Sequence, residues 1–224
     1  MRVEIAATLL LLAPTAAVAQ TREDAQLWMN FSVQGELTDE LVWLAEFQPR
    51  FGDNLSRNTV LLGRIAAGWK FNDHLTIYQG LVRQNLYDNG PGRRSENRSF
   101  QQVNWKAAAG RWGSLQSRTR FEQRWFSNGS DVGLRLREQL RYEKPLGSGD
   151  DGLVGVATAE AMFNLRATDY GARRGFETAR LFAGGRLPIS DRHSIEAGYQ
   201  MQVAVANPGT DVAHVLLVTM IIRP

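Results

Sequence analysis

The chain has 224 residues, no cysteine and a formal net charge of +3. Without cysteine there is no disulfide framework and no thiolate metal site, and so small a charge excess does not point to nucleic acid. No apolar run beyond the N-terminus is long enough for a membrane helix, which leaves a soluble protein and a membrane β-barrel both open.

Residues 1–19 read as a secretory signal peptide: Arg2 is the basic start, Ile5 to Leu12 the apolar stretch, and Ala17-Val18-Ala19 the small-residue site, with cleavage expected after Ala19. The apolar stretch falls short of the roughly 20 residues a membrane span needs. No cysteine follows it to carry a lipid anchor. Residues 20–224 then form one exported domain, with no composition break that would mark a second.

Along that domain the side chains alternate with a period of two, the signature of strands. A weak first segment covers Gln26–Gln34. In "LVWLAEFQPRF" Glu46, Gln48 and Arg50 oppose Trp43, Ala45, Phe47 and Phe51. Weaker copies follow at Val60–Phe71 and Leu75–Tyr87. "ENRSFQQVNW" sets Glu96, Arg98, Gln102 and Asn104 against Val103 and Trp105. "RTRFEQRW" is the clearest, with Arg118, Arg120, Glu122 and Arg124 against Thr119, Phe121 and Trp125. "DVGLRLREQLRY" sets Arg135, Arg137, Gln139 and Arg141 against Leu134, Leu136, Leu140 and Tyr142. Leu153–Phe163, Phe176–Leu187, "SIEAGYQMQV" and Val212–Ile222 complete the series. Turn strings such as "FNDH", "AAAGRWGS", "SNGSD", "PISDRH" and "NPGTD" separate the segments.

A soluble sandwich also alternates, but three features favour its inverse. The segments, at ten or more residues, match a bilayer crossing rather than a globular strand. The polar faces are rich in Arg and Glu, which pair in planar fashion in crowded networks. Aromatics collect beside turns, as Trp69 and Phe71, Trp105 and Trp112, Trp125 and Phe126, and Tyr142, as two interfacial girdles would. The expected fold is therefore all-β, an antiparallel transmembrane β-barrel of about 10–12 strands with a charged Arg/Glu lumen, in the outer membrane of a Gram-negative bacterium. Eleven segments conflict with the usual even number. The first is suspect: either it implies an unseen partner strand, giving twelve, or it is no wall strand, leaving ten.

The sequence resembles a family of uncharacterised Gram-negative outer-membrane proteins, domain of unknown function 2490. The likeness rests on the order of Leu27-Trp28, Glu46 to Arg50, Glu96-x-Arg98 with Gln101-Gln102, Arg118-x-Arg120-x-Glu122-x-Arg124, Arg135-x-Arg137, Glu160, Phe163-Asn164, Arg180 and Gly198-Tyr199-x-x-Gln202. It implies an outer-membrane barrel with no assigned activity. Where such barrels often end in an aromatic residue used in assembly, this sequence ends Ile221-Ile222-Arg223-Pro224.

The expected lumen network comprises Glu46, Arg50, Glu96, Arg98, Arg118, Arg120, Glu122, Arg124, Arg135, Arg137, Arg141, Glu160, Arg180 and Glu196, with Arg64 and Arg83 also placed inward. A turn centred near Asn128–Gly129 sets Glu122 opposite Arg135 and Arg120 opposite Arg137, and the facing Arg pair then needs a carboxylate from across the lumen. Such a network either plugs a narrow barrel or lines an anion-preferring pore. The loop residues Arg93, Arg94, Arg173 and Arg174 are candidates for binding lipopolysaccharide phosphates. His74 and His193 fall in turns and His214 on the last strand. No nucleophile–base or metal-ligand spacing stands out, so no cofactor is expected. Expected partners are outer-membrane lipids, lipopolysaccharide and the barrel-assembly machinery, around a monomer. Two other readings are a lipid-modifying barrel enzyme and a soluble periplasmic β-protein that binds an apolar ligand.

Overall fold

The computed structural model describes residues 21–87, 93–146 and 152–224, so the expected signal peptide at 1–19 lies outside the described residues. Strand follows strand: β1 Thr21–Glu36, β2 Leu41–Gly52, β3 Arg57–Lys70, β4 Leu75–Tyr87, β5 Arg93–Gly110, β6 Gly113–Phe126, β7 Val132–Pro145, β8 Val154–Asn164, β9 Gly175–Ser190, β10 His193–Val205 and β11 Thr210–Ile222. They form one closed barrel in which each strand pairs with its sequence neighbours.

Eleven strands fall within the expected 10–12, and closure corrects only the suspicion about the first. β1 is a wall strand, and it pairs with β11 in parallel, from Thr21 beside Thr210 to Val33 beside Ile222. All other pairings are antiparallel. An up-and-down meander of odd number brings its first and last strands together running the same way. Parallel pairing satisfies both edges, so neither a twelfth strand nor the loss of the first is needed. The start of β1 consequently lies at the opposite end of the barrel from Pro224. These are called the N-terminal and C-terminal ends below.

Several boundaries also move. "AAAGRWGS" is mostly strand, with only residues 111 and 112 between β5 and β6. Residues 188–190 of "PISDRH" belong to β9, and His193 opens β10 rather than sitting in a turn. Arg93 and Arg94 open β5, paired with Tyr87 and Leu86 of β4, and are not loop residues.

Alternation then sorts the two faces. Phe47, Ile65, Leu81, Leu181 and Leu216 are exposed on the outside, while Arg120, Glu96 and Glu122 are buried within. A protein folded for water has the opposite distribution. This one matches a barrel whose outer wall meets lipid and whose backbone groups must pair within the sheet. Trp43, Trp69, Trp105 and Tyr142 stand near the C-terminal end of the barrel, and Trp112 stacks on Tyr142 with ring centroids 6.1 Å apart. Trp125 stands at the other end. Phe126 departs from the expected girdle: it packs against Tyr170 of the β8–β9 connection, centroids 4.4 Å apart.

The lumen has two unlike sides. Leu62, Ala66, Val82 and Phe100 form an apolar cluster on β3 to β5, and Trp28, Ala213 and Val215 form another across the β1–β11 seam. The inner faces of β5 to β10 carry most of the charge. At the N-terminal mouth, Asp24 of β1 caps the β2–β3 turn, accepting the Asn54 amide at 2.7 Å and the Asp53 amide at 3.2 Å.

Candidate functional site: a charged lumen

Arg118, Arg120, Glu122 and Arg124 share the inner face of β6 because they occupy alternate positions of an unbroken strand. β5 presents Glu96 and Arg98 on one side of them and β7 presents Arg135, Arg137 and Arg141 on the other. The register sets Arg120 beside Arg137 and Glu122 beside Arg135, as the hairpin spacing requires.

One alternating chain of ion pairs runs through this wall. Glu96 holds Arg98 and Arg124, each guanidinium Nε donating at 2.6 Å. Glu177 accepts from Arg124 at 3.0 Å and from Arg135 at 2.7 Å. Glu122 accepts from Arg135 Nε at 2.8 Å and from Arg137 at 3.1 Å. Glu160 closes the chain, accepting from Arg137 at 2.7 Å, Arg118 at 2.8 Å and Arg180 at 3.4 Å. Buried charge persists only when paired and hydrogen-bonded, and this chain does both. A second group lies nearer the C-terminal end. There Glu143 binds Arg141 at 2.6 Å and Arg186 at 2.7 Å, and Arg141 also pairs with Glu196. Glu46 pairs with Arg64.

The carboxylate that serves the facing pair Arg120 and Arg137 comes from the same wall, not from across the lumen. Glu122 is two residues along β6 from Arg120 and diagonal to Arg137, and Glu160 is on β8. Arg83 also corrects the inward assignment. It points outward and donates to Asn97 Oδ1 at 2.8 Å. Three charges of these ion-pair groups escaped sequence reasoning. Glu143 and Arg186 were legible, since they keep the phase of Arg141 and Arg180. Glu177 was not, because a bulge opposite Met162 and Phe163 resets the phase of β9 there.

Arg50 stands apart. Its guanidinium donates only to Gln48 Oε1, at 2.6 and 3.1 Å, and lies 3.8 Å from the centre of the Trp28 ring, with no carboxylate partner among the described residues. Arg180 approaches the same ring at 5.0 Å. Both line a chamber of about 490 Å³ toward the N-terminal end, together with Arg98, Arg135 and Glu177. A second chamber of about 460 Å³ opens toward the C-terminal end past Gln116, Glu143 and Arg186. The two share Asn30, Glu46, Arg118, Gln139, Gln200 and Leu217 as a common ring.

Arg173 and Arg174 lie in the β8–β9 connection at the N-terminal end, the end that also holds the start of β5 with Arg93 and Arg94. Of the histidines, His193 meets Ser190 rather than Ser194, Oγ to Nδ1 at 2.8 Å across the β9–β10 turn. No carboxylate bonds His193 among the described residues. His214 faces outward beside the Tyr199 hydroxyl at 2.7 Å. The described residues include no cluster of three or more metal-ligating side chains.

A family model described as protein of unknown function DUF2490 matches residues 25–213. An uncharacterized protein of Methylorubrum extorquens strain AM1 is 39% identical over 223 residues, covering 99% of this chain and 97% of its own. Among solved structures, a KdgM porin in complex with disordered oligogalacturonate aligns with a TM-score of 0.45 at 9% identity, covering 80% of this chain and 88% of that one. A bacterial polysaccharide outer membrane secretin aligns at 0.41 and 10% identity, covering 80% and 73%.

Proposed function

Because the chain belongs to the DUF2490 family, whose description assigns no activity, we propose a role from the lumen itself: a narrow, anion-preferring passage through the outer membrane. The observation that carries this reading is the charge balance of the inner wall. Among the described strand residues that line the two chambers or lie buried between them, eleven are Arg (50, 64, 98, 118, 120, 124, 135, 137, 141, 180 and 186) and seven are Glu (46, 96, 122, 143, 160, 177 and 196). Charged linings set the sign of the ion that enters. The surplus is spatially defined, since Arg50 has no carboxylate partner among the described residues and Arg180 holds Glu160 only at 3.4 Å.

The width supports a small passage. A barrel of eight strands is filled by side chains and one of sixteen leaves a channel. Eleven strands fall between, and here the ion-pair chain occupies one side of the interior and leaves two chambers that meet at the Arg118 ring.

Planar-bilayer recording of the purified full-length protein tests the reading. A salt gradient of potassium chloride should give a small current whose reversal potential lies on the chloride side. The double substitution of Arg50→Gln and Arg180→Gln should move that potential toward zero while the barrel still folds. A cation-selective current overturns the proposal, and so does silence from protein shown to be inserted, which would leave a structural, plugged barrel.

A further inference from the structure

The outer wall is apolar at mid-height on most strands. β3 shows Leu61, Ile65 and Ala67, β9 shows Ala179, Leu181 and Ala183, and β11 shows Leu216, Val218 and Met220. The exception is β4 to β6, with Glu138 of β7 beside them. There the outward positions include Gln79, Ser99, Gln101 and Gln123. Gln101 is in the middle of its strand, four residues from the girdle residue Trp105, so these groups are not at a mouth. Register places Gln79 beside Gln101 and Ser99 beside Gln123. The strands of a barrel tilt against its axis, and the four side chains therefore stack into one column up the outside.

The column is bonded within itself. Gln123 Nε2 donates to Gln101 Oε1 at 3.0 Å, Gln101 Nε2 to Gln79 Oε1 at 2.8 Å, and Gln79 Nε2 to Ser99 Oγ at 3.0 Å. These bonds do not exhaust it. Each amide carries two N–H donors and an acceptor oxygen, and Gln123 Oε1 accepts no hydrogen bond among the described residues. Acyl chains offer neither donor nor acceptor, so such groups facing lipid are costly. A water-soluble partner cannot reach the middle of the band.

We propose that this column, Gln79, Ser99, Gln101 and Gln123 on the outside of β4 to β6, is where a second copy of this chain docks within the membrane. Primary amides are donors and acceptors at once, so the column complements itself under a two-fold axis parallel to the barrel axis. The flanks agree with that symmetry. On the β4 side Arg83 donates to Asn97 Oδ1 at 2.8 Å, and on the β7 side Glu138 accepts from Ser117 and Thr119, each at 2.5 Å. Neither charge has an opposite partner within its own chain among the described residues. A two-fold axis through the column sets the Arg83 flank of one copy toward the Glu138 flank of the other, so the uncompensated charges attract across the interface. A partner of any other kind would have to reproduce both the amide column and the reversed charge order. The expectation from sequence was a monomer, and this proposal departs from it.

The chain has no cysteine, which makes single-cysteine cross-linking clean. Ser99→Cys in the full-length protein, oxidised with copper phenanthroline in vesicles of phosphatidylethanolamine and phosphatidylglycerol, should give a band at twice the chain mass. Ala183→Cys on the opposite side of the barrel should not. In detergent, the wild-type protein should sediment as two chains and the Gln101→Leu, Gln123→Leu double variant as one, with folding of both followed by heat-modifiable migration. Equal cross-linking at positions 99 and 183, or a wild-type protein that sediments as a single chain, overturns the proposal. Oxidation of Ser99→Cys in native membranes that yields an adduct of any other mass in place of the doubled band does so as well.

Discussion

Arg120 and Arg137 are direct cross-strand partners, two guanidiniums side by side on the inner wall of β6 and β7. Like charges so placed repel. Glu122 relieves the pair, with Oε1 3.1 Å from Arg137 and 3.8 Å from Arg120. Arg137 also has Glu160. Arg120 relies instead on Gln102 Oε1, 2.7 Å from its Nε, and on the Phe100 ring at 4.4 Å, while its Nη1 has no hydrogen-bond partner.

That asymmetry orders two substitutions. Glu122→Gln withdraws the anion shared by Arg120, Arg135 and Arg137 and should cost about 3–5 kcal/mol, the usual cost of breaking a buried pair. Arg120→Met removes the least satisfied cation of the wall and should be near neutral by the same principle. Urea midpoints of refolded protein in detergent would measure both, and the reverse order would refute this account of the wall.

Gly80 is needed for its size. A Cβ there would lie 2.3 Å from the Phe100 ring and 2.7 Å from the Ile65 carbonyl oxygen. Gly80→Ala should therefore destabilise the barrel by about 1–3 kcal/mol through overpacking. Adding Phe100→Leu should return part of the loss, a coupling that a double-mutant cycle reads directly. Additive losses would show that the two residues do not compete for space.

Leu55 is an uneasy member of the β2–β3 turn. Asp53, Asn54 and Leu55 have φ of 55°, 52° and 68°, a left-handed region that Asp and Asn tolerate and Leu does not. Its side chain is exposed, so little packing is lost on removal. Leu55→Gly should raise stability by about 1 kcal/mol, seen as a higher urea midpoint with an unchanged slope.

The parallel seam admits a covalent test. Met29 and Val218 are paired on the outer face of β1 and β11, at a spacing that a disulfide can bridge. The double variant Met29→Cys, Val218→Cys should cross-link within one chain, visible as a shifted gel band abolished by reductant. If β2 closed on β11 instead, with β1 outside the wall, that pair would stay reduced.

Asp169 joins two connections at the N-terminal mouth. It accepts the Ser130 amide at 2.7 Å, the Ser130 hydroxyl at 2.8 Å and the Asp131 amide at 3.2 Å. The Ser130 backbone bond is the main reason its carboxyl is held below the usual aspartate range. A depressed folded value means the contact is fully present above the unfolded pKa of about 3.9 and is lost as pH falls through the folded one. Amide exchange at Ser130 and Asp131 should therefore stay slow at mildly acidic pH and quicken only below the ordinary aspartate range. Asp169→Asn should be fast across the whole range and lose this pH dependence.

Alternation of side chains by itself determined the strands, the inverted faces and most of the lumen charges, because facing is a local property of a regular strand. It held for Arg118 to Arg124 and Arg135 to Arg141, where no bulge interrupts the pairing of β6 with β7. It broke at Glu177, where a bulge resets the phase, and at Arg83, whose strand alternates too weakly for a sequence to say which side is out. Only the tertiary structure decided how the sheet closes. Pairing β1 with β11 joins residues some 190 positions apart, and no local pattern records which edge finds which. The same holds for the division of carboxylates among the guanidiniums and for the amide column outside β4 to β6. Each is assembled from single residues on different strands, and becomes a feature only when register and strand tilt bring them side by side.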